Sequence, residues 1–381
     1  MIRITDKSEC TGCTACVTAC PRQCIVMRRD RQGFDYPVAN PDLCIECGKC
    51  ESICPVLNPR HAAAELSAFA ARVTEYMDES SSGGVFSYLA RQTVDSEGVV
   101  FGAVMNPDMT VGHSEAETMD QVSAMRGSKY VQSDMYSSFE DARAYLEEGR
   151  KVLFTGTPCQ IAGFKAYLGK EYEGLLTADI ACHGVPSPGL WQKYVEALSL
   201  RSGSAVTDVR FRDKISGWRR YSFSYAAGGR TVSVPYTKDP YMALFVQDMT
   251  LRPSCYDCPA RGGRSGSDLT LADLWNVAET VPQMDDDKGV SLVLANTDKG
   301  IKALEDMDMV KVDAGVAKRM NSGFATTIQS PERREEFFAG MHSTKDIISY
   351  MKGFVVRKCT IRKIYQNFHT FMSKIKRRIV R

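Results

Sequence analysis

The stretch GVVFGAVM, Gly98–Met105, is apolar almost without a break. RKVLFTG (Arg150–Gly156) and LLTADIAC (Leu175–Cys182) share the pattern. A short apolar run closed by glycine, proline or charge reads as a strand covered on both faces. Helical segments alternate with these strands. One follows SSSGGVF (Ser80–Phe86) to about Val94, one covers 137–148, one begins at TPCQIAGFKAYL, and one starts near Pro188. Such alternation predicts an α/β body with a largely parallel sheet. Residues 206–236 differ: VTDVRFRD, YSFSY and RTVSV read as antiparallel strands, with AAGG as a hairpin turn. DLTLADLW and GVSLVLANT add two strands before a helix near 298–307, so the sheet is expected to be mixed. The Ala-rich segment from Pro59 to about Glu75 reads as a linker or a packing segment.

A chain of 381 residues is long for one core and suggests several domains. The expected division is an α+β ferredoxin-like module at 1–58, the α/β body at 59–330 and a helical basic tail at 331–381. Composition is ordinary for a globular protein, at 44% hydrophobic and 25% charged. No apolar run is long enough to span a bilayer. The opening MIRITDKSEC lacks the apolar core of a secretory signal, so a cytoplasmic location is expected. There, fourteen cysteines point to ligands or catalytic groups rather than disulfides. The net charge of +2 hides an asymmetry: residues 355–381 hold nine Lys or Arg and no acid, which leaves 39 basic and 46 acidic residues elsewhere. A mildly acidic body speaks against nucleic acid as a partner.

Eight of the cysteines form two copies of C-x2-C-x2-C-x3-C-P. This is the ferredoxin run in which three cysteines hold one 4Fe–4S cluster and the fourth holds the other. Cys10, Cys13, Cys16 and Cys54 are assigned to one cluster, and Cys44, Cys47, Cys50 and Cys20 to the second. The tight loop wraps three thiolates round one cube, and the short helix after it aims its cysteine at the other. Pro21 and Pro55 stop that helix. Gly12, Ala15 and Gly48 let the backbone approach. Zinc needs only paired C-x2-C, so two complete runs favour clusters. Cys24 stands outside the spacing and reads as a small buried hydrophobe.

A ferredoxin module passes electrons but transforms no substrate, so the body must say where they go. In TGTPCQ, Thr157 is a candidate N-cap, Pro158 the first helical residue and Gln160 the partner in a capping box. Cys159 lies in that first turn, where a thiolate is stabilised. Cys182 closes the next strand, and Cys255 and Cys258 form a C-x2-C pair. These four could hold a third cluster or a zinc ion, and spacing does not separate the two. Ser80–Gly84 offers hydroxyls and N–H groups that suit phosphate or a flavin edge, or simply a capped helix start. RGSKY, Arg126–Tyr130, could flank a flavin or form a solvated loop. His183 could protonate a reduced substrate or be a hydrogen-bonded loop histidine. Asp285–Asp287 reads as a solvated loop.

Taken in order, SSGGVF, RGSKYVQS, VLFTGTPCQIAGF, DIACHGVPSP, RPSCYDCP and the Asp268–Trp275 stretch resemble the coenzyme F420 hydrogenase/dehydrogenase beta-subunit family. The resemblance covers roughly residues 8–310, in the branch with a fused two-cluster ferredoxin domain. It implies an FAD-binding iron–sulfur oxidoreductase. Ser81, Ser82, Gly83 and Gly84 would then lie on the flavin with Lys129 and Thr157 nearby, and Cys159, Cys182, Cys255 and Cys258 would hold a third 4Fe–4S cluster. Relatives often carry glycine at both ends of the last motif, where this chain has Ala272 and Asn276. No residue marks a deazaflavin pocket.

From Ile361 apolar residues recur at helical spacing among basic ones. The tail could lie on an anionic membrane, dock an acidic partner, or pack on the acidic body. The expected partners are a ferredoxin or another electron-transfer protein and a small-molecule substrate of unknown identity. The rival expectation is a relay subunit with no substrate of its own.

Overall fold

A computed structural model describes residues 1–62, 65–324 and 327–356. The N-terminal module is a hairpin, β1 (Ile25–Arg29) against β2 (Asp35–Ala39), flanked by the short helices Ala15–Thr18 and Lys49–Ser52. Its two cysteine loops follow the same backbone path. Two and four residues past the first cysteine the chain turns left-handed, at Gly12 (φ 72°) and Thr14 (φ 64°) in one copy and at Glu46 (φ 51°) and Gly48 (φ 71°) in the other. Glycine takes one such position per copy. Thr14 and Glu46 take the other, at a cost of about 1–2 kcal/mol each.

The body is built on one eight-stranded sheet and one of three strands. Its strands are β3 (Ser67–Ala71), β4 (Val99–Met105), β5 (Val111–Ala116), β6 (Val152–Gly156), β7 (Leu175–Ile180), β8 (Val206–Asp213), β9 (Ser222–Ala227), β10 (Arg230–Pro235), β11 (Leu269–Asp273), β12 (Ser291–Ala295) and β13 (Met309–Lys311). The large sheet runs β13-β3-β12-β11-β7-β6-β4-β5. The core β4-β6-β7-β11 is parallel, and antiparallel strands finish both sides. Alternate residues of the apolar runs serve opposite faces. Val100 and Leu153 meet Val85 and Leu89 of the helix Val85–Asp95. Val99, Phe101, Val152 and Phe154 meet Phe139, Ile161 and Phe164 from the helices Ser138–Glu147 and Pro158–Leu168. Each such buried side chain contributes roughly 1.5–3 kcal/mol. The small sheet, β10-β9-β8, turns at Gly228–Gly229, both with positive φ.

Two segments depart from the sequence reading. The Ala-rich stretch read as a linker contains β3, paired on one side with β12 and on the other with β13. Alanine favours helix in isolation, but pairing on both edges overrides it. Gly83 packs closely on the end of this strand: a Cβ there would come within 2.4 Å of the Ala71 carbonyl oxygen. Residues 331–356, assigned to the tail, contribute the helices Arg334–Gly340 and Ile347–Phe354 to the main core. Phe337, Phe338, Met351 and Phe354 pack there with Trp191, Tyr194 and Tyr241. The amphipathic pattern after Ile361 lies outside the described residues. No helix among the described residues is long and apolar enough to cross a membrane.

Two helices of the body clamp the β1–β2 turn of the module. Ser187 caps the helix Pro188–Ser202 and donates to the Gln32 carbonyl at 2.6 Å. Gly189 donates its N–H to the Gly33 carbonyl at 3.0 Å, an approach that a Cβ on either glycine would block. Arg334 donates to Gln32 Oε1 at 2.8 Å, and Phe338 meets Phe34 with ring centroids 6.1 Å apart.

Candidate metal centres

The two cysteine loops and their short helices enclose two pockets. One, the inner, is lined by Cys10, Cys13, Cys16 and Cys54. The other, the outer, is lined by Cys20, Cys44, Cys47 and Cys50. Three cysteines of one run meet the last cysteine of the other run in each pocket. Among the described residues no three His, Cys, Asp or Glu side chains converge on one single-ion position. The inner pocket faces the body. Burial pushes the Cys16 thiol up to about 12 and holds Cys13 well above its ordinary value. The Thr11 hydroxyl is buried in its wall without a hydrogen-bond partner. The outer pocket faces solvent, with Cys47 exposed. Cys24 is buried, as expected, but it reaches this pocket with its Sγ 3.4 Å from Cys20 Sγ.

In the body, Cys159 follows β6 and Cys182 follows β7, at the carboxyl ends of neighbouring parallel strands, where open α/β sheets place ligands. Cys255 ends a single 3-10 turn, Pro253–Cys255, and Cys258 follows it. Cys159, Cys182 and Cys255 are each raised by neighbouring thiols of the set. Cys159 responds to Cys258 and Cys255, and Cys182 to Cys255, Cys159 and Cys258. Burial is the larger cause and takes Cys159 to about 12. The Val185 N–H points at Cys255 Sγ at 3.4 Å. The expected capping box forms, and in it Gln160 Oε1 accepts the Thr157 N–H at 2.9 Å. The Thr157 hydroxyl also reaches Gln160 Oε1 at 3.0 Å and Cys159 Sγ at 3.2 Å.

Sequence reasoning missed two arginines here. Arg252 and Arg261 are among the largest fully buried side chains of the molecule. Arg252 pulls the Cys159 and Cys255 thiols down, and Arg261 does so for Cys182 and Cys255. A buried guanidinium keeps its charge, so both are fixed cations among thiols. The signal was within reach, since Arg252 opens the motif RPSC. The cysteine set also touches the inner pocket: a Cβ on Gly163, one turn after Cys159, would lie 2.9 Å from Cys13 Sγ.

His183 is held between two side chains, Nδ1 to Ser322 Oγ at 3.0 Å and Nε2 to Asp248 Oδ1 at 2.8 Å. Ser81 Oγ accepts the Ser128 N–H at 2.8 Å, Ser82 donates to the Val290 carbonyl at 3.2 Å, and Gly83 donates to Ser291 Oγ at 3.0 Å. Gly84 precedes the helix at φ 88°. Burial lowers Lys129 to about 7, and its Nζ donates to the carbonyls of Ala124, Arg126 and Gly127. So Ser81–Gly84 is stitched to the 128 loop and to β12, whereas Thr157 belongs to the cysteine set. Beside the serine loop lies a group without a sequence signal. Arg212 binds Asp273 at 2.5 Å, sits near the rings of Tyr221 and Trp275, and leaves buried Nε and Nη2 without hydrogen-bond partners. Its charge acts on Tyr130, which also faces Ser128.

Residues 149–316 match the family described as the C-terminal part of the beta subunit of coenzyme F420 hydrogenase/dehydrogenase. The match takes in the body's strands from β6 to β13. Residues 9–58 are a 4Fe–4S dicluster domain. Within the module the chain is 42% identical over 53 residues to "Ferredoxin 7Fe" of Hydrogenibacillus schlegelii, covering 14% of this chain and 62% of that protein. It is 24% identical over 192 residues to an uncharacterized protein of Methanocaldococcus jannaschii, covering 42% and 52%. The chain thus spans between half and two thirds of these curated relatives. Among solved structures, it is similar to a chain of the F420-reducing NiFe hydrogenase complex from Methanosarcina barkeri, at 20% identity, with 68% of this chain and 85% of that chain covered and a TM-score of 0.46.

Proposed function

We propose that this chain is a flavin-dependent iron–sulfur reductase of the F420 hydrogenase beta-subunit type. Cys20, Cys44, Cys47 and Cys50 hold an outer 4Fe–4S cluster, and Cys10, Cys13, Cys16 and Cys54 an inner one. Cys159, Cys182, Cys255 and Cys258 hold a third, beside FAD. Such clusters carry single electrons, and a flavin pairs them for a substrate. The observation that carries this reading is the nearness of four scattered cysteines: Cys159 and Cys182 at the ends of β6 and β7, and Cys255 and Cys258 from the turn beside them, with Gly163 of the Cys159 helix against Cys13 of the inner pocket. Two buried arginines beside them supply charge that an anionic cluster needs.

For FAD, support comes from the unpartnered nitrogens of Arg212 under Tyr221 and Trp275. Buried donors of this kind gain from an acceptor on a planar ligand. At the opposite end, Cys47 and the exposed Leu43 and Ile45 give a ferredoxin-like donor an apolar landing surface at the outer site. His183, held by Ser322 and Asp248 two residues before the close Val185–Cys255 contact, is a proton source for the substrate.

A second reading is a relay subunit with no substrate of its own. It draws support from Ser81–Gly84 and Lys129, whose polar groups already find partners within the protein.

Anaerobic purification followed by assay of iron, acid-labile sulfide, zinc and flavin per chain tests the proposal. About twelve iron with one FAD is expected. About eight iron with one zinc and no flavin overturns it in favour of the relay.

A further inference from the structure

Arg252 occupies the seam between the inner pocket and the body's cysteine set. Its backbone belongs to the body: the Arg252 carbonyl accepts the Cys255 N–H at 2.9 Å, and its own N–H donates to the Val185 carbonyl at 3.0 Å. Its side chain belongs to the module. Nε donates to the Cys10 carbonyl at 2.7 Å, and Nη2 donates to the Asp35 carbonyl at 3.0 Å and approaches Cys10 Sγ at 3.7 Å. Nη1 donates to Gln132 Oε1 at 3.0 Å, and Gln132 in turn donates to the Thr11 carbonyl at 3.1 Å. The guanidinium lies over Tyr36, 4.1 Å from the ring centroid. The acceptors and rings that hold it are neutral, except the thiol sulfur. The charge is therefore not cancelled locally, and burial leaves it weakly screened.

We propose that Arg252 is a fixed buried cation that makes the inner ferredoxin site a better electron acceptor than its thiolates alone would be, and that distinguishes it from the outer site. The inference rests on the reading that these thiolates hold clusters. A cluster gains negative charge on reduction, so a neighbouring cation favours the reduced state and raises the potential. The outer pocket has no counterpart among the described residues. Its cations are the Met1 ammonium, which Glu51 Oε1 pairs at 3.3 Å, and Arg22 and Lys49, which are exposed and screened by water. Arg252 meets no substrate, and it acts through Cys10.

The test is a redox titration of the whole protein, monitored by electron paramagnetic resonance, with inner and outer signals separated by Cys47→Ala. Arg252→Met should shift the reduction equilibrium of the inner site against the outer by about tenfold or more, which is ~59 mV for one electron. Arg252→Lys keeps the charge and should restore most of that shift. Gln132→Glu is isosteric and neutralises the guanidinium without removing it, so it should shift the inner site the same way as Arg252→Met. It decides the matter should Arg252→Met fail to load iron. An inner potential unmoved in Gln132→Glu, or an outer potential that moves equally, overturns the proposal. Absence of iron in the wild-type protein would instead sink the cluster reading beneath it.

Discussion

The inner and outer pockets of the module share a spacing, a backbone path and a ligand type, yet they sit in different electrostatic worlds. The inner one has Cys10, Cys13 and Cys16 buried, a helix of the body against Cys13 and an arginine on Cys10. The outer one opens beside Cys47, with Ile45 60% exposed. Local sequence makes both loops bind alike. Docking buries one pocket and leaves the other at the surface. The setting of a motif thus comes from what surrounds it, not from the motif.

The largest break in this comparison is removal of one ligand from each side. Cys13→Ala should take the inner site's iron, abolish flavin reduction by an external donor and leave FAD bound. Cys47→Ala should take only the outer iron and leave the module docked. Iron counts, flavin absorbance and protease resistance of the module check both. Loss of flavin in Cys13→Ala would refute separate stations.

A smaller effect comes from the glycines. Gly163→Ala puts a methyl carbon 2.9 Å from both Cys13 Cβ and Sγ, and overpacking there should cost about 1–3 kcal/mol. Gly48→Ala meets nothing within 4 Å and pays only for its left-handed backbone, about 1 kcal/mol. Urea midpoints should fall in that order, and equal losses would mean that the module does not bear on the helix Pro158–Leu168.

The smallest effect lies in the metal-free protein. Burial raises Cys16 to about 12 from 9.0, so as pH rises past the unfolded value the unfolded chain sheds its proton first, and this part of the fold's stability is lost. For Cys20 burial opposes ionisation, but the N–H groups of Cys24, Arg22 and Gln23 outweigh it and hold the thiol below its ordinary value. The sign reverses there: stability is gained as pH rises. Alkylation at mildly alkaline pH, read by mass spectrometry, should therefore mark Cys47 and Cys20 before Cys13 and Cys16.

Much of this was written locally. The two C-x2-C-x2-C-x3-C-P runs announced the eight cysteines that line the two pockets, because a loop that short can present its thiolates in few ways. The apolar runs at 98–105, 150–156 and 175–182 announced a parallel sheet, because strands covered on both faces have no polar side. Ser81–Gly84 and Cys159 were visible as helix starts. Other features carried no local signal. Ser67–Ala71 is a strand only because β12 and β13 flank it. The helices 334–340 and 347–354 joined the core because their aromatic residues found Trp191 and Tyr241. Cys182 joins Cys159 because strand order sets the ends of β6 and β7 side by side, and Cys255 reaches them because the Pro186–Leu251 bridge and the Arg252 N–H bond to the Val185 carbonyl carry its turn there. Arg212 and Arg252 were ordinary charged residues in the sequence. Their burial, and with it their unscreened charge, exists only once the module has closed on the body.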